Sequence, residues 1–372
     1  MRNREFDLVK WAIWAVILGG LVWGVFFANQ GLQAVFDGIH SGTILMLGAI
    51  GLTLTYKILN FANFSHGDIL LFGAYIAFSV DWLLTGWLPQ LIPALADDVF
   101  ALQWTAIVIA MAVGVFGAVG LSLLIDRVLY RRMRRSAAVV LVIASFGMAL
   151  FVRNLVQAIW GTGNRRYDML VSIPRGYGFG DIDFNGSFEF FDLGTRQLDA
   201  LLRNPEFQHA FALKLNLMDL VTLVTAFSLA VLLHVFLKYT RTGKAMRAMS
   251  DNPDLARVSG INTERMIGWT WAIGAGLAAL AGVFMGLNFA VIEPNMGAKT
   301  LLPMFAAVIL GGIGSPYGAM LGAVVIGVAQ TLLVAPVTSI SSQYKPGIAF
   351  VLMIVMLLVR PQGLLGEAER KG

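Results

Sequence analysis

Residues 105–125 read TAIVIAMAVGVFGAVGLSLLI, a run of 21 residues without a charged side chain. A helix that crosses the hydrocarbon core of a bilayer needs about 20 such residues. The whole chain has the same character, with 58% hydrophobic and 13% charged residues and a mean hydropathy of +0.74. Because a soluble domain so poor in charge could not cover its own surface, the sequence predicts an all-α, polytopic transmembrane bundle.

Nine further apolar runs predict, together with 105–125, ten spans in a single transmembrane domain, 1–372. They cover about residues 11–28, 40–59, 66–84, 136–159, 217–237, 267–291, 300–313, 318–336 and 346–359. Polar residues and further spans follow the first run, so we expect an uncleaved helix rather than a signal peptide there. The runs at 300–313 and 346–359 are short enough to be re-entrant, which leaves eight or nine complete spans as the alternative.

The lysines and arginines indicate the orientation of these spans. If the N-terminus lies inside, the inner segments hold 18 of the 27 Lys and Arg residues. Seven of the nine outer ones lie between Arg153 and Lys214, in a long polar segment that carries little topological information. We therefore predict cytoplasmic termini, a periplasmic insert at 160–216 and a cytoplasmic loop at 238–266. This layout explains the net charge of +5, so no nucleic-acid partner is expected.

The residue types that bind metals, cofactors or nucleotides are absent or wrongly spaced. Cysteine is absent, and the four histidines form no H-x-x-x-H pair. The chain also contains no G-x-x-x-x-G-K-[ST] phosphate-binding pattern. The sequence therefore predicts no metal, no cofactor, no catalytic residue and no nucleotide site, and so a protein that is not an enzyme.

A polar stretch, Asn60-Phe61-Ala62-Asn63-Phe64-Ser65-His66-Gly67-Asp68, interrupts two apolar runs. Ser65 followed by Asp68 has the [ST]-x-x-[DE] pattern that caps the start of a helix. A second interpretation, compatible with the first, is a discontinuous helix whose free backbone groups line a cavity. Under this interpretation the candidate substrate-path residues are Asn60, Asn63, Ser65 and His66.

A glycine-rich stretch near the C-terminus forms a second break, at 311–318. Gly311, Gly312 and Gly314 are the candidate substrate-path residues in this break. Pro316 is expected to start the next helix with Ser315 as its cap. A recurrence of glycine every four residues, at 314, 318 and 322, favours close helix packing. An early and a late break suggest two related halves, as in many transporters.

The loop at 238–266 contains a short predicted helix, Pro253–Ser259. Asn252, Pro253 and Asp254 provide a cap, a first-position proline and an acid in the first turn. Gly260 is expected to end this helix in a left-handed conformation. Such a rigid, capped helix is suited to a groove of a partner protein, with Ala256 as the small apolar contact and charges at the rim.

Five stretches of the chain resemble branched-chain amino acid ABC transporter permeases, and are most similar to their LivH-like type. They are ILNFANFSHGD (58–68) with GAY (73–75), YTRTGKAMRA (239–248), GINT (260–263), AAVILGGIGSPYGA (306–319) and VRPQGLLG (359–366). Asp254, Leu255, Ala256 and Gly260 are similar to the E-A-A-x-x-x-G coupling motif of ABC importers, with Leu255 in place of the middle alanine.

This resemblance implies a bacterial inner-membrane importer with several subunits. A periplasmic binding protein delivers the substrate, this chain and a second, related permease form the path, and two ATPase subunits use ATP. Leucine, isoleucine and valine are the implied substrates, and urea or short amides are the alternative because related permeases carry them.

A stand-alone ion-coupled transporter is the alternative from a different class. Its mechanism needs intramembrane carboxylates or histidines arranged as a relay. Asp68, Asp81 and Asp219 all lie near the ends of predicted spans, so the sequence favours the multi-subunit importer.

Overall fold

The computed structural model describes residues 31–92, 99–167, 188–189, 214–215, 217–334, 342–360 and 362–366. Within these residues the helices are α1 Gly31–Leu59, α2 His66–Leu91, α3 Val99–Ile125, α4 Arg131–Met133, α5 Ala138–Trp160, α6 Leu217–Tyr239, α7 Arg241–Asp251, α8 Pro253–Val258, α9 Thr263–Phe289, α10 Met296–Gly311, α11 Pro316–Val334 and α12 Lys345–Val359. A π-helical turn, Asp126–Tyr130, joins α3 to α4, and a 3₁₀ turn, Ser342–Tyr344, precedes α12.

The all-α class is confirmed for this part of the chain. Nine of the predicted spans coincide with helices, and seven of these helices are long and apolar enough to cross a membrane. The other two, α10 and α12, are the ones predicted to be short. The first predicted span, 11–28, lies outside the described residues, so the count of ten stays a prediction.

Among the described residues, two short antiparallel pairs of strands include residues of the insert at 160–216. In the first pair, β1 (Arg165–Arg166) pairs with β4 (Val291–Ile292). In the second, β2 (Phe188–Glu189) pairs with β3 (Lys214–Leu215). Beside β1, Tyr167 packs edge-on against Phe78 of α2, and burial raises the pKa of its phenol above the usual range. These contacts attach the start of the insert to α2 and α9.

Glycines let the central helices approach each other closely. A Cβ atom on Gly38 or Gly327 would lie 2.6 Å or less from the backbone of the facing helix, so α1 and α11 are in backbone contact. A Cβ atom on Gly322 would lie 2.1 Å from the carbonyl oxygen of Ala307, which brings α10 equally close to α11. Small residues are the usual means of close helix packing within membranes. The predicted packing role is confirmed for Gly318 and Gly322.

Candidate functional site

The chain turns back into the bundle after α1. Asn60 is exposed and has a positive φ of 56°, which ends α1 abruptly. Six residues later, the side chain of His66 donates from Nε2 to the carbonyl oxygen of Gly48, at 3.0 Å. Gly48 lies eleven residues before the end of α1, which corresponds to about 16 Å along a helix. Helix α2 therefore begins inside the bundle, as the discontinuous-helix interpretation predicts.

The predicted cap of α2 by Ser65 is wrong. Ser65 has helical backbone angles and makes no side-chain cap hydrogen bond. Its hydroxyl donates to Asn63 Oδ1 at 2.7 Å, and the same oxygen accepts from the Ser65 amide at 3.1 Å. A cap residue needs an extended backbone to aim its oxygen at the free amides. At this break Asn63, three residues before the first residue of α2, accepts a hydrogen bond from the amide of Ser65 instead.

Asp68, the other residue of the predicted capping pair, forms an ion pair with a residue 85 positions later in the chain. Arg153 of α5 donates from Nε and Nη2 to the two carboxylate oxygens of Asp68, at 2.9 and 3.0 Å. Asp68 is 0% exposed. The prediction that Arg153 belongs to the outer polar segment is wrong, because Arg153 lies within α5. A buried charge requires such a partner, so the pair neutralises Asp68 at the start of α2.

A buried polar and aromatic network joins this break to the π-helical turn. Tyr130 donates to Asn63 Oδ1 at 3.2 Å. Its ring stacks on Trp271 of α9, with centroids 5.1 Å apart and planes at 10°. Trp271 Nε1 in turn donates to Asp126 Oδ1 at 2.9 Å. The π-helical turn directs Tyr130 and Asp126 to the same buried side, a geometry often found at functional sites.

The network continues to the first turn of α9. Arg134 donates from Nη2 to both oxygens of Asp126, at 3.1 and 2.8 Å, and from Nη1 to Glu264. Arg131 also pairs with Glu264, at 3.2 Å. Because Glu264 lies within the loop at 238–266 that also contains α8, a continuous series of contacts joins Asn63 to that loop. No sequence motif predicts this network, although the position of Asp126 directly after an apolar run is a signal of a buried carboxylate.

A second break between α9 and α10 has the same form as the first. Ala290 has a positive φ of 52°, and α10 begins six residues later, at Met296. The second residue of each new helix is glycine, and a Cβ atom on Gly67 would lie 2.4 Å from the carbonyl oxygen of Gly297. The starts of α2 and α10 therefore touch inside the bundle. Among the described residues, 290–295 is a closer counterpart of the first break than 311–318.

Gly311, Gly312 and Gly314 lie at the far end of α10, fourteen or more residues beyond Gly297. That separation is about 21 Å along a helix, so the structure does not bring them together with Asn63, Ser65 and His66.

Each of these glycines has a structural role. A Cβ atom on Gly311 would lie 1.9 Å from the Gly318 carbonyl oxygen. Gly312, with φ of 110°, packs on the C-terminal segment 362–366. Gly314, with φ of 86°, donates its amide to Thr53 Oγ1 at 3.1 Å. The predicted cap of α11 is confirmed, since Ser315 Oγ accepts from the amide of Gly318 at 3.1 Å.

Helix α8 has the predicted cap and the predicted stop. Asn252 Oδ1 accepts from the amides of Asp254 and Leu255, at 3.1 and 2.9 Å. Gly260 has a φ of 81°, and the Gly260 and Ile261 amides donate to the carbonyl oxygens of Arg257 and Ala256. This double hydrogen bond is the Schellman arrangement. Both ends of a six-residue helix are therefore fixed.

The orientation of α8 differs from the prediction. Ala256 is only 4% exposed and packs within a buried cluster that includes Met249 and Met266. Leu255 and Val258 are 63% and 86% exposed. The prediction that Ala256 faces a partner is wrong, because its small side chain is what lets α8 lie close to the bundle. The outward apolar surface of α8 consists of Leu255 and Val258.

Comparisons with known proteins agree with the sequence resemblance. Residues 34–357 match a family model described as "Branched-chain amino acid transport system / permease component". The chain is 34% identical to the "High-affinity branched-chain amino acid transport system permease protein LivH" of Escherichia coli (strain K12), over 91% of this chain and 96% of that protein. It is 31% identical, with the same coverage, to the "High-affinity branched-chain amino acid transport system permease protein BraD" of Pseudomonas aeruginosa. A shorter similarity, 30% identity over 37% of this chain and 44% of that protein, links it to the "Probable branched-chain amino acid transport permease protein LivM" of Methanocaldococcus jannaschii.

Proposed function

Because this chain belongs to the family of branched-chain amino acid transport permease components, we propose that it forms part of the path of an ATP-driven importer for leucine, isoleucine and valine. The similarity covers nearly the whole length of LivH and BraD, whose names state this transport function. The structural observation that carries the proposal is α8, which is fixed at both ends and presents Leu255 and Val258 outward.

We assign α8 the role of contact with an ATPase subunit, as part of the coupling set Asp254, Leu255, Ala256 and Gly260. Leu255 and Val258 supply the apolar contact, with the exposed pair Asp254 and Arg257 at the rim. Ala256 and Gly260 act from within the chain, by holding α8 against the bundle and by ending it. ATP binds to the partner subunits, and this chain needs no cofactor of its own.

The substrate path is proposed to pass the start of α2. Asn63, Ser65 and His66 lie there, buried inside the bundle. The amide nitrogen Nδ2 of Asn63 is enclosed and has no hydrogen-bond partner among the described residues. An unpartnered buried donor is costly unless something uses it in another state of the protein. A passing amino acid, with its carboxylate, offers the acceptor that Asn63 lacks.

The remaining subunits follow from the family and from the proposed topology. A periplasmic binding protein delivers the substrate, a second permease related to LivM completes the membrane part, and two ATPases lie in the cytoplasm against α8. The chain lies in the inner membrane, with the loop at 238–266 inside and the insert at 160–216 outside.

This orientation can be tested because the chain contains no cysteine. Ser136 lies just before the start of α5 and Gly163 lies just after its end, and both residues are exposed. In spheroplasts, an impermeant maleimide should label the variant Gly163→Cys, and should label Ser136→Cys only after permeabilisation. The reverse pattern would contradict the proposed orientation.

Neither alternative transport function is favoured. Urea or amide transport has no support from the names of LivH and BraD. Ion-coupled transport needs a free carboxylate within the bundle, whereas the fully buried Asp68 is bound by Arg153.

The experiment is uptake of radiolabelled leucine into proteoliposomes that contain the two permeases and the two ATPases, with the binding protein outside. We expect uptake to require internal ATP and to be competed by isoleucine and valine but not by urea or acetamide. Uptake driven by a proton or sodium gradient, without the ATPases, would contradict the proposal.

A further inference from the structure

A cavity of about 320 Å³ lies between the ends of α1, α6 and α11 and the side of α7. Lys57 of α1, Lys238 of α6 and Arg247 of α7 line it. Its volume falls at the lower end of the range for small-molecule sites. The cavity is separate from the start of α2 and from the outward surface of α8, the two sites that the proposed function uses.

The charge of this cavity is not balanced. Among the described residues that line it, none is acidic. Lys57, Lys238 and Arg247 form no ion pair with any described carboxylate, and Arg247 donates only to the carbonyl oxygen of Lys238, at 3.4 Å. Three cations around one concave space raise the local concentration of anions. The chemistry of the cavity therefore fits a compact anion such as a phosphate group.

Neutral groups in the cavity offer further hydrogen bonds. Ser250 Oγ is enclosed and has no hydrogen-bond partner among the described residues, although Ser250 lines the cavity. Helix α11 begins at Pro316 in the cavity wall, so the positive end of its dipole lies there too. Tyr317 holds the neighbouring His234 in place with a hydrogen bond of 2.6 Å. A free hydroxyl beside three cations is a typical environment for a phosphate oxygen.

The surface beside the cavity indicates which kind of molecule carries this phosphate group. On α6, Val231, Val235 and Tyr239 are exposed next to the cavity-lining residues, and Tyr317 is exposed on α11. Exposed aliphatic residues on a membrane-spanning helix face lipid chains, and tyrosines are enriched at the level of the headgroups. Basic pockets between transmembrane helices are known places for acidic lipid headgroups.

We propose that this basic cavity binds the phosphate headgroup of an anionic phospholipid whose acyl chains lie along the exposed face of α6. Lys57, Lys238 and Arg247 contact the phosphate, and Ser250 donates a hydrogen bond to it. Since α7 leads directly into α8, the bound lipid also holds the helix that positions the coupling segment. The proposal needs no transport step, so it can fail or succeed independently of the proposed function.

The test is native mass spectrometry of the purified full-length chain, titrated with dioleoylphosphatidylglycerol or dioleoylphosphatidylcholine. We expect the wild type to retain phosphatidylglycerol preferentially. Each basic residue near a bilayer contributes about fivefold to the affinity for anionic lipid. The variant Lys57→Gln/Lys238→Gln/Arg247→Gln should therefore lose at least about tenfold in the preference for phosphatidylglycerol.

A matched control carries the same change of net charge outside the cavity. Arg241, Lys244 and Arg265 are exposed in the same loop region and do not line the cavity. Their triple replacement by glutamine should reduce the retention of phosphatidylglycerol clearly less than the cavity variant does. An equal loss in both triple variants, or no loss in the cavity variant, would overturn the proposal. If the cavity triple variant does not purify as a monodisperse protein, Lys57→Gln compared with Lys57→Arg makes the same test with one charge.

Competition distinguishes the lipid from other anions. Millimolar glycerol phosphate or leucine should not displace bound phosphatidylglycerol, and the assembled complex with ATPase subunits should retain it. Displacement by glycerol phosphate would assign the site to a free phosphate compound. Displacement by leucine would make it part of the substrate path, and loss on assembly would assign it to the ATPase. Each of these results would overturn the lipid assignment.

Discussion

Tyr130 stacks on Trp271 with ring centroids 5.1 Å apart and planes at 10°, and the two residues are 141 positions apart in the chain. The stacked pair lies between Asn63, at the break before α2, and Asp126, at the start of the π-helical turn. It is therefore the central part of the buried network that joins the proposed substrate path to the loop containing α8.

The first prediction concerns Trp271. Trp271→Phe keeps the stacked ring but removes the N–H group that donates to Asp126. The loss of a hydrogen bond to a charged acceptor should cost about 1.5–3 kcal/mol of stability. It should also lower the amount of leucine transported per ATP hydrolysed. The control is Trp269→Phe, two residues away and partly exposed, which should change neither the melting temperature nor the transport ratio.

The second prediction concerns the shared acceptor Asn63. Ser65 and Tyr130 both donate to its Oδ1 atom. In a double-mutant cycle, Ser65→Ala and Tyr130→Phe should show a coupling energy of about 0.5–3 kcal/mol, because contacting residues in one network are not independent. Thermal unfolding of the four proteins measures it. Additive losses would mean that the two hydroxyl groups stabilise the protein independently, which would contradict the shared network.

Local rules predicted much of this molecule from the sequence. The apolar runs located nine of the described helices, since a span requires about 20 apolar residues. Asn252, Ser315 and Gly260 were correctly assigned as caps and stop, because the groups they contact lie within a few residues.

The parts that sequence reasoning missed depend on distant partners. Arg153 and Asp68 are 85 residues apart, and Trp271 and Asp126 are 145 residues apart. Ser65 fitted a capping pattern, but its hydroxyl donates to Asn63, and the distant Arg153 binds the carboxylate of Asp68. The burial of Ala256 was equally invisible, because a six-residue helix is too short for its apolar periodicity to identify the buried face.

The third prediction concerns the buried ion pair. Asp68→Asn alone should destabilise the protein by about 3–5 kcal/mol, because it leaves Arg153 without its carboxylate. The double variant Asp68→Leu/Arg153→Met should recover most of this loss, since an apolar pair of similar size avoids the cost of desolvation. Neutralising the exposed pair Asp254 and Arg257 is the control and should have no measurable effect on the melting temperature. Failure of the double variant to recover stability would show a specific need for the charges.

The fourth prediction concerns the contact between the starts of α2 and α10. Gly67→Ala places a methyl group 2.4 Å from the Gly297 carbonyl oxygen, so the two helices must separate. We expect lower thermal stability and strongly reduced uptake. Gly120→Ala in α3 is the matched control, because its Cβ atom would meet nothing within 4 Å. That control should stabilise the helix by about 0.5–1 kcal/mol. Equal effects of the two substitutions would contradict the close contact.

The central claim, that α8 couples this chain to separate ATPase subunits, is tested most directly by leucine-stimulated ATP hydrolysis of the reconstituted complex. Leu255→Asp and Val258→Asp place a charge on the outward apolar surface of α8 without touching the buried side. The matched control is Leu365→Asp, which places the same charge on an exposed leucine outside α8. The account predicts that both α8 variants insert normally, fail to retain the ATPase subunits and lose leucine-stimulated hydrolysis, while the control keeps it. Wild-type stimulation in both α8 variants would contradict the account.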